Sequence, residues 1–145
     1  MPRIQFYHNA ADPLELACEL VARACASGKR VAVRAPDAAS AQALDRLLWS
    51  ADPQSFTPHV QAESPLAAET PVVIGRADAP VNWPHGEILF NLAHDMAPGF
   101  EDFRMVVEIV GQGEFDKQHA RERWRRYKQR DLPLQAFDAV RREAL

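Results

Sequence analysis

The sequence predicts an α/β fold in which helices pack on a mainly parallel sheet. Short runs rich in Val, Ile and Leu, such as residues 31–33 and 105–110, alternate with segments of helical periodicity. Strands of this apolar kind are typical of parallel sheets, whose two faces are both covered. With 145 residues and 47% hydrophobic content, the chain suits one domain, residues 1–145, built around one main core.

The first elements in chain order are a strand at residues 4–8 and a helix opened by Asp12-Pro13-Leu14-Glu15. A capping Asp, a proline at the first helical position and a Glu three residues after the Asp form a helix-start signal. Gly28 is expected to end this helix. The amino-terminal quarter therefore begins as strand, helix and, at residues 29–33, a second strand.

A second helix is predicted to begin at Pro36-Asp37, because Leu44, Leu47 and Leu48 repeat at helical spacing. Residues 50–70 are rich in Pro, Ser, Asp and Ala and predict a long connection with one short strand near His59 and Val60. The predicted elements after it are strands at 72–74, 87–92 and 105–110, a loop at 80–86, and a last helix from about 114 to 130 that ends at Asp131-Leu132-Pro133.

Two properties of the whole chain restrict the classes of function. No apolar run approaches the roughly 18 residues of a membrane helix, and Met1-Pro2-Arg3-Ile4-Gln5 lacks the order of a signal peptide, so a cytoplasmic protein without membrane contact is expected. Residues 1–116 carry 8 basic and 16 acidic side chains, whereas residues 117–145 carry 9 and 4. A cationic end on an acidic body favours a local anionic partner over a protein that coats nucleic acid.

The motifs of enzymes are weak or misplaced. Ser27-Gly28-Lys29 resembles part of a phosphate loop, but it ends a helix and enters a strand, which is the reverse of the order that phosphate binding needs. No G-x-G-x-x-G follows the first strand, so no nucleotide-binding loop is predicted. His94-Asp95 lacks an accompanying nucleophile motif. The five histidines and two cysteines have no metal-ligand spacing, and we expect no catalytic residue, metal or cofactor.

The last predicted helix carries a cationic face. At 100° per residue, Lys117, Arg121, Arg125 and Lys128 fall within an arc of roughly 100°, together with Trp124. Ala120 and Tyr127 lie beside this arc on what is predicted to be the packing side. An apolar anchor beside positive charge suits a ligand with both apolar and anionic parts. The alternatives are a solvated basic face whose Trp packs on the sheet, and direct binding of phosphates, for which the acidic body offers little basic surface.

A second aromatic group lies at the end of the second helix and in the loop after it. Trp49 follows Leu47-Leu48, and Phe56 lies within Ser55-Phe56-Thr57-Pro58-His59. These two rings either cover the core or, if they are exposed, form an aromatic anchor for a protein partner.

Four sequence blocks together resemble the chi subunit family of the DNA polymerase III clamp-loader assembly. The blocks are Ser27-Gly28-Lys29-Arg30-Val31, Leu44-Asp45 through Leu48-Trp49, Ser55-Phe56-Thr57-Pro58-His59, and Lys117-Gln118-His119-Ala120-Arg121-Glu122-Arg123 with Tyr127 beyond. The resemblance implies a three-layer, Rossmann-like sandwich that binds no nucleotide. It also implies a non-catalytic adapter that links the clamp loader to single-stranded-DNA-binding protein, with mainly indirect contact to nucleic acid.

The resemblance also implies two binding surfaces. One would hold the acidic, Phe-terminated carboxyl-terminal tail of single-stranded-DNA-binding protein. Its residues would be Val110, Lys117, Arg121, Trp124, Arg125 and Leu134. Lys117 and Arg121 would meet carboxylates of the tail, and Val110, Trp124 and Leu134 would border the ring of its terminal Phe. Trp49 and Phe56 occupy the family's positions for the psi subunit of the clamp loader, where in some members a repair helicase competes. The competing hypotheses are a nucleotide-using enzyme on a doubly wound fold, suggested by architecture alone, and a direct binder of single-stranded DNA.

Overall fold

A computed structural model describes residues 2–50, 57–140 and 143–144. Its strands are β1 (Arg3–Ala10), β2 (Val31–Ala35), β3 (His59–Gln61), β4 (Val72–Arg76), β5 (Ile88–Asn91), β6 (Met105–Gly111), β7 (Leu134–Asp138) and β8 (Glu143–Ala144). Its α-helices are α1 (Pro13–Ala26), α2 (Ala38–Ser50) and α3 (Glu114–Gln129), and single turns of 3-10 helix lie at Ala67–Glu69 and Phe100–Asp102. In the described residues, the strands form one sheet in the order β3-β4-β2-β5-β6-β1-β7-β8, in which only β8 pairs antiparallel.

Side chains alternate between the two faces of the sheet and build two apolar layers. On one face, β2 and β6 pack against α1 and α2, with Val21 and Leu44 fully buried. On the other face, Phe6 of β1 and the alternate residues of β6 pack against Tyr127 of α3. The predicted α/β sandwich with a mainly parallel sheet is confirmed, with helices on both faces of the sheet.

The helix boundaries follow from local signals that the sequence carries. The carboxylate of Asp12 accepts a hydrogen bond from the backbone N–H of Glu15 at 3.2 Å, and Pro13 is the first residue of α1. Gly28, just after the helix, adopts a positive φ of 82°, which glycine reaches without a Cβ penalty. Asp37 accepts from the N–H of Ser40 at 2.8 Å and so caps α2 in the same way.

The connection from β4 to β5 crosses the face of the sheet on which α3 lies, and it contains no helix. Trp83 of this connection packs into the apolar layer on that face. The space it occupies exists because position 75, within β4, is a glycine: a Cβ there would stand 2.7 Å from Cη2 of Trp83 and 2.8 Å from Cγ2 of Val81. Gly75 thus allows the indole of Trp83 to lie directly against the strand.

The prediction omitted β7 and β8. Leu134 pairs with Ile4 and Phe137 with Tyr7, so β7 extends the parallel sheet beyond β1. The short strand predicted near His59 and Val60 is present as β3. In the parts of the chain that the structure describes, none of the helices combines the length and apolar character needed to cross a membrane.

Candidate functional site

A buried polar network fixes the rotation of α3 about its own axis. Glu108, in the middle of β6, is fully buried and accepts hydrogen bonds from Nε of Arg123 at 3.0 Å and from the hydroxyl of Tyr127 at 2.7 Å. Arg123 also donates to the carbonyl of His94 at 2.6 Å. Burial raises the pKa of the Glu108 carboxyl, and the positive charge of Arg123 opposes that rise. Because these bonds are directional, they hold one face of α3 against the sheet.

The network continues across the sheet to β5 and β2. Nδ2 of Asn91 donates to Glu108 at 3.0 Å, and Oδ1 of Asn91 accepts from Nη1 of Arg34 at 3.2 Å. Arg34 in turn holds the two carboxylate oxygens of Asp95 at 2.9 and 3.1 Å. These bonds from Arg34 lower the pKa of the Asp95 carboxyl. Polar contacts therefore connect α3 to three neighbouring strands of the sheet, β6, β5 and β2.

The outward side of α3 and the ends of two strands enclose an open cleft of about 720 Å³. Its walls are formed by side chains of α3, β1 and β6, and all four of its charged residues are basic. The lining residues are His8, Asn9, Val110, Lys117, Ala120, Arg121, Trp124, Arg125 and Lys128. The cleft joins an apolar floor to a positively charged rim, and we call it the α3 cleft.

Positive charge in the α3 cleft is only weakly compensated by the protein itself. Lys117 lies 3.9 Å from Glu114, and Arg125 lies 3.7 Å from Glu122. Both pairs are at the surface, where such contacts contribute little free energy. Arg121 and Lys128 form no hydrogen bond or ion pair with the side chains of the residues described here. These cations are available to an anionic ligand.

Trp124 has two roles in the geometry of this region. Its ring meets Phe6 of β1 edge-on at a centroid distance of 5.2 Å, so the indole is anchored on the sheet. Trp124 is also only half-buried and lines the α3 cleft. Trp124 therefore packs on the sheet and also lines the cleft.

A strand irregularity brings two neighbouring residues of β1 to the cleft. The pairing of β1 with β6 shifts register between Tyr7 and Ala10, and Asn9 has a positive φ of 66°. In a regular strand, His8 and Asn9 would point to opposite faces, yet both line the cleft. The pKa of His8 is lowered by burial and by Arg123, while Asp138 acts in the opposite direction.

The predicted site residues differ in where the structure places them. Val110, Lys117, Arg121, Trp124 and Arg125 all line the α3 cleft. Leu134 does not: it is half-buried in β7, in the same apolar layer as Trp124.

The two aromatic residues of the other predicted surface lie apart from the cleft. Trp49 is in the last turn of α2, on the opposite face of the sheet, with 59% of its surface exposed and its ring 5.3 Å from that of His59. Phe56 lies outside the described residues.

Sequence reasoning missed His8 and Asn9 as lining residues and Arg123 as a buried residue. The sequence analysis treated Arg123 only as part of the basic motif. The spacing of 100° per residue nevertheless places Arg123 beside Ala120 and Tyr127, on the packing side of the helix. Glu108 is a lone charge inside the apolar run 105–110. Two opposite charges at core positions are a signal for a buried pair, because an unpaired one would be very costly. For Asn9, the local sequence carries no comparable signal.

The crevice between the carboxyl ends of β1 and β6 is where doubly wound folds hold nucleotides. Here it measures about 40 Å³ and is lined by Pro13, Gly111 and Asp116, among others. The carboxylate of Asp116 fills the space beside Gly111 and binds His94 at 2.6 Å. A phosphate in this crevice would meet a negative charge. Among the described residues, no group of three or more His, Cys, Asp or Glu side chains is arranged to hold a metal ion.

Comparison with known proteins identifies the family. A family model described as DNA polymerase III chi subunit, HolC, matches residues 1–135. The chain is 38% identical over 140 residues to DNA polymerase III subunit chi of Pseudomonas aeruginosa, covering 93% of this chain and 95% of that one. It is 36% identical over 122 residues to the protein of the same name from Escherichia coli, with 79% and 77% covered. The Haemophilus influenzae protein is 30% identical over 111 residues, with 77% and 76% covered. The chain therefore belongs to the DNA polymerase III chi subunit family.

Proposed function

We propose that this protein is a non-catalytic subunit of the DNA polymerase III holoenzyme that binds the acidic, Phe-terminated tail of single-stranded-DNA-binding protein in the α3 cleft. The observation that carries the proposal is the composition of the cleft: every charged residue that lines it is basic, and its floor is apolar. Val110, Ala120 and Trp124 offer a surface for an aromatic ring. Arg121 stands beside them, forms no hydrogen bond or ion pair with the other side chains that the structure describes, and offers charge-assisted hydrogen bonds to carboxylates.

The location of Trp49 supports an adapter with a second partner. Large exposed aromatic residues at a helix end are typical anchors of protein interfaces. Trp49 lies on the face of the sheet that carries α1 and α2, whereas the α3 cleft lies on the other face. Two partners bound at these places would not compete for the same surface. We therefore propose that the face around Trp49 contacts the psi subunit of the clamp loader, or a repair helicase in its place.

The binding of the tail is tested with a fluorescein-labelled acidic peptide ending in Phe, followed by fluorescence anisotropy at low and moderate salt. Arg121→Ala is expected to weaken binding at least about fivefold, the effect of losing one charge-assisted contact worth about 1 to 3 kcal/mol. Arg126→Ala is the matched control, because Arg126 is on the same helix but outside the cleft and is paired with Glu122. Both substitutions change the net charge equally.

Two results would contradict the proposal. Wild-type protein without saturable binding at either salt concentration would refute tail recognition, and equal losses in the two variants would remove the α3 cleft as its place. A labelled single-stranded oligonucleotide is measured in parallel. Tight, steeply salt-dependent binding of the oligonucleotide alone would favour direct recognition of DNA instead.

The contact at Trp49 is tested by binding to purified psi subunit in sedimentation velocity. Trp49→Ala is expected to abolish co-sedimentation, while Leu66→Ala, which truncates another exposed apolar residue, is expected to leave it intact. Equal co-sedimentation of wild type and Trp49→Ala would refute this assignment without affecting the tail site.

A further inference from the structure

Besides the crevice between β1 and β6, the sheet has a second place where neighbouring strands lead to opposite faces. β2 and β4 are paired neighbours. The chain leaves β2 for α2, which packs on one face, and leaves β4 for the connection that crosses the other face. In open α/β sheets, small ligands bind in the crevice outside the carboxyl ends of such strands. The first crevice is filled by the carboxylate of Asp116, whereas the second is open.

This second crevice holds a cavity of about 440 Å³, which we call the β4 cavity. Pockets that bind small molecules measure about 300 to 1,000 Å³ and combine a mainly apolar lining with a few polar groups. The β4 cavity has this composition. Its apolar wall comes mainly from the connection after β4 and includes Pro80, Val81, Trp83 and Pro98.

The charged residues that line the β4 cavity are Arg34, Arg76 and Asp78, and they differ in how far they are already engaged. Arg34 is buried and holds both carboxylate oxygens of Asp95, so its charge is balanced and its position is fixed. Nε of Arg76 is also buried, but in the part of the chain that the structure describes it makes no hydrogen bond. Oδ1 of Asp78 lies 3.1 Å from this Nε, outside hydrogen-bond geometry. A buried donor without a hydrogen bond is costly unless a ligand supplies the acceptor.

The charges of the β4 cavity decide which ligand suits it. Arg76 and Asp78 place a cation and an anion side by side on the partly exposed rim. Since these charges balance, a ligand of large net charge is disfavoured, and a phosphate group would meet the carboxylate of Asp78. A ligand that carries both charges on neighbouring atoms matches the pair. An α-amino acid does so, because its carboxylate and its ammonium group are attached to one carbon atom.

We propose that the β4 cavity binds a free α-amino acid with an apolar or aromatic side chain. The carboxylate of the amino acid accepts hydrogen bonds from Arg76, and its ammonium group donates to Asp78, both charge-assisted. The side chain lies against the wall formed by Val81 and Trp83. The β4 cavity and the α3 cleft have no lining residue in common. The inference is therefore independent of the proposed function.

The test uses protein labelled with fluorotryptophan and observed by fluorine NMR. The chain contains three tryptophans, Trp49, Trp83 and Trp124, so each resonance is assigned by replacing one of them with Phe. L-phenylalanine is expected to shift the Trp83 resonance saturably, with a dissociation constant of about 1 mM or below. N-acetyl-L-phenylalanine lacks the ammonium group and L-phenylalaninamide lacks the carboxylate. Each is expected to bind at least about fivefold more weakly, because one charge-assisted contact is lost.

Substitutions in the protein test the same two contacts from the other side. Arg76→Gln and Asp78→Asn are each expected to weaken the binding of L-phenylalanine at least about fivefold. Asp78→Asn should also remove the preference for L-phenylalanine over its N-acetyl derivative. Arg46→Gln is the control, because Arg46 is exposed and does not line the β4 cavity. Arg76→Gln should leave the affinity for the acidic peptide unchanged, which separates this site from the α3 cleft.

Three results would overturn the inference. In the first, L-phenylalanine causes no shift of the Trp83 resonance at any concentration that its solubility allows. In the second, the two derivatives bind as tightly as the amino acid, or deoxyadenosine monophosphate binds more tightly, and the class of ligand is then wrong. In the third, L-phenylalanine shifts the Trp124 resonance and not that of Trp83, so it binds in the α3 cleft. None of these results affects the proposal of tail binding.

Discussion

Arg121 and Arg123 are two residues apart on α3, yet Arg121 lines the solvent-filled cleft and Arg123 is buried with its Nε 3.0 Å from Glu108. A basic motif read as one unit in the sequence thus divides into a residue that lines the cleft and a structural residue. The division follows from helical geometry, since residues i and i+2 lie on nearly opposite sides of a helix. The two arginines should respond differently to the same substitution.

Arg123→Ala should lower the free energy of unfolding by about 3 to 5 kcal/mol, because it leaves the carboxylate of Glu108 buried without its cation. Arg121→Ala should change stability by less than about 0.5 kcal/mol, as expected for an exposed residue. Urea unfolding followed by circular dichroism measures both. Similar stability of the two variants would contradict the role assigned to the buried pair.

Gly75→Ala should destabilise the protein by about 1 to 3 kcal/mol, because the added Cβ collides with Trp83 and Val81. The emission of Trp83 should shift in the folded state as the ring is displaced. Gly113→Ser is the control, because a Cβ there meets no atom within 4 Å and Ser is a favourable residue at the start of a helix. A Gly75→Ala variant with unchanged fluorescence and stability would show that the loop adjusts without cost.

Asp131→Gly should raise the free energy of unfolding by roughly 0.5 to 1 kcal/mol. The end of α3 is a Schellman motif: the N–H of Asp131 bonds to the carbonyl of Lys128 and the N–H of Leu132 to that of Tyr127, with Asp131 at a φ of 56°. Glycine adopts this conformation more readily, and the change removes a negative charge from the helix carboxyl terminus. Asp131→Ala shares only the charge effect, so equal stability of the two variants would contradict the backbone explanation.

The stability of the protein should fall as the pH falls below about 6.5, because the pKa values of His8 and His85 are both lowered in the folded state. The unfolded chain then binds more protons than the folded one, so the free energy of unfolding decreases with decreasing pH until both folded-state histidines are protonated. The raised pKa of Glu108 acts in the opposite sense. Comparison of wild type with the double variant His8→Asn, His85→Asn isolates the histidine contribution. Parallel curves for the two proteins between pH 7.5 and 5 would refute it.

The affinity for an acidic peptide should rise as the pH falls from about 6.5 to 5, below the ordinary pKa of histidine, because protonated His8 adds a positive charge to the lining of the α3 cleft. Carboxylates of the peptide remain mostly ionised over this range. Anisotropy titrations of wild type and His8→Asn measure the effect, which the variant should lack. An identical pH dependence in both proteins would assign the change to another group.

The parts of the fold that the sequence predicted are those with local signals. The Asp12-Pro13 start of α1, its end before Gly28 and the apolar run of β6 each depend on neighbouring residues alone. Strand β7 is different. Its five residues, Leu-Gln-Ala-Phe-Asp, do not alternate regularly in polarity, and the strand it pairs with, β1, is about 130 residues away in the chain. A pairing so distant leaves no trace in the local pattern.

Helical periodicity predicted the part of the cleft lining that α3 contributes. The wheel brought together Lys117, Arg121, Trp124 and Arg125, which the structure also places on one wall. It did not reveal His8 and Asn9, because they arrive from the other end of the chain through the irregularity in β1. The family resemblance, and not the wheel, extended the site to Leu134, which lies in the same apolar layer as Trp124 but is not among the residues that line the cleft.

The bonds from Glu108 to Arg123 and Tyr127 have a consequence for how this surface diversifies over evolution. A helix held only by apolar contacts, which are not directional, can rotate slightly when its outer residues change size. In this protein, Arg123 and Tyr127 on the inner face of α3 donate directional hydrogen bonds to Glu108. An outward side chain of α3 can therefore change without rotating the helix. The same scaffold is thereby suited to change the lining of the α3 cleft one substitution at a time.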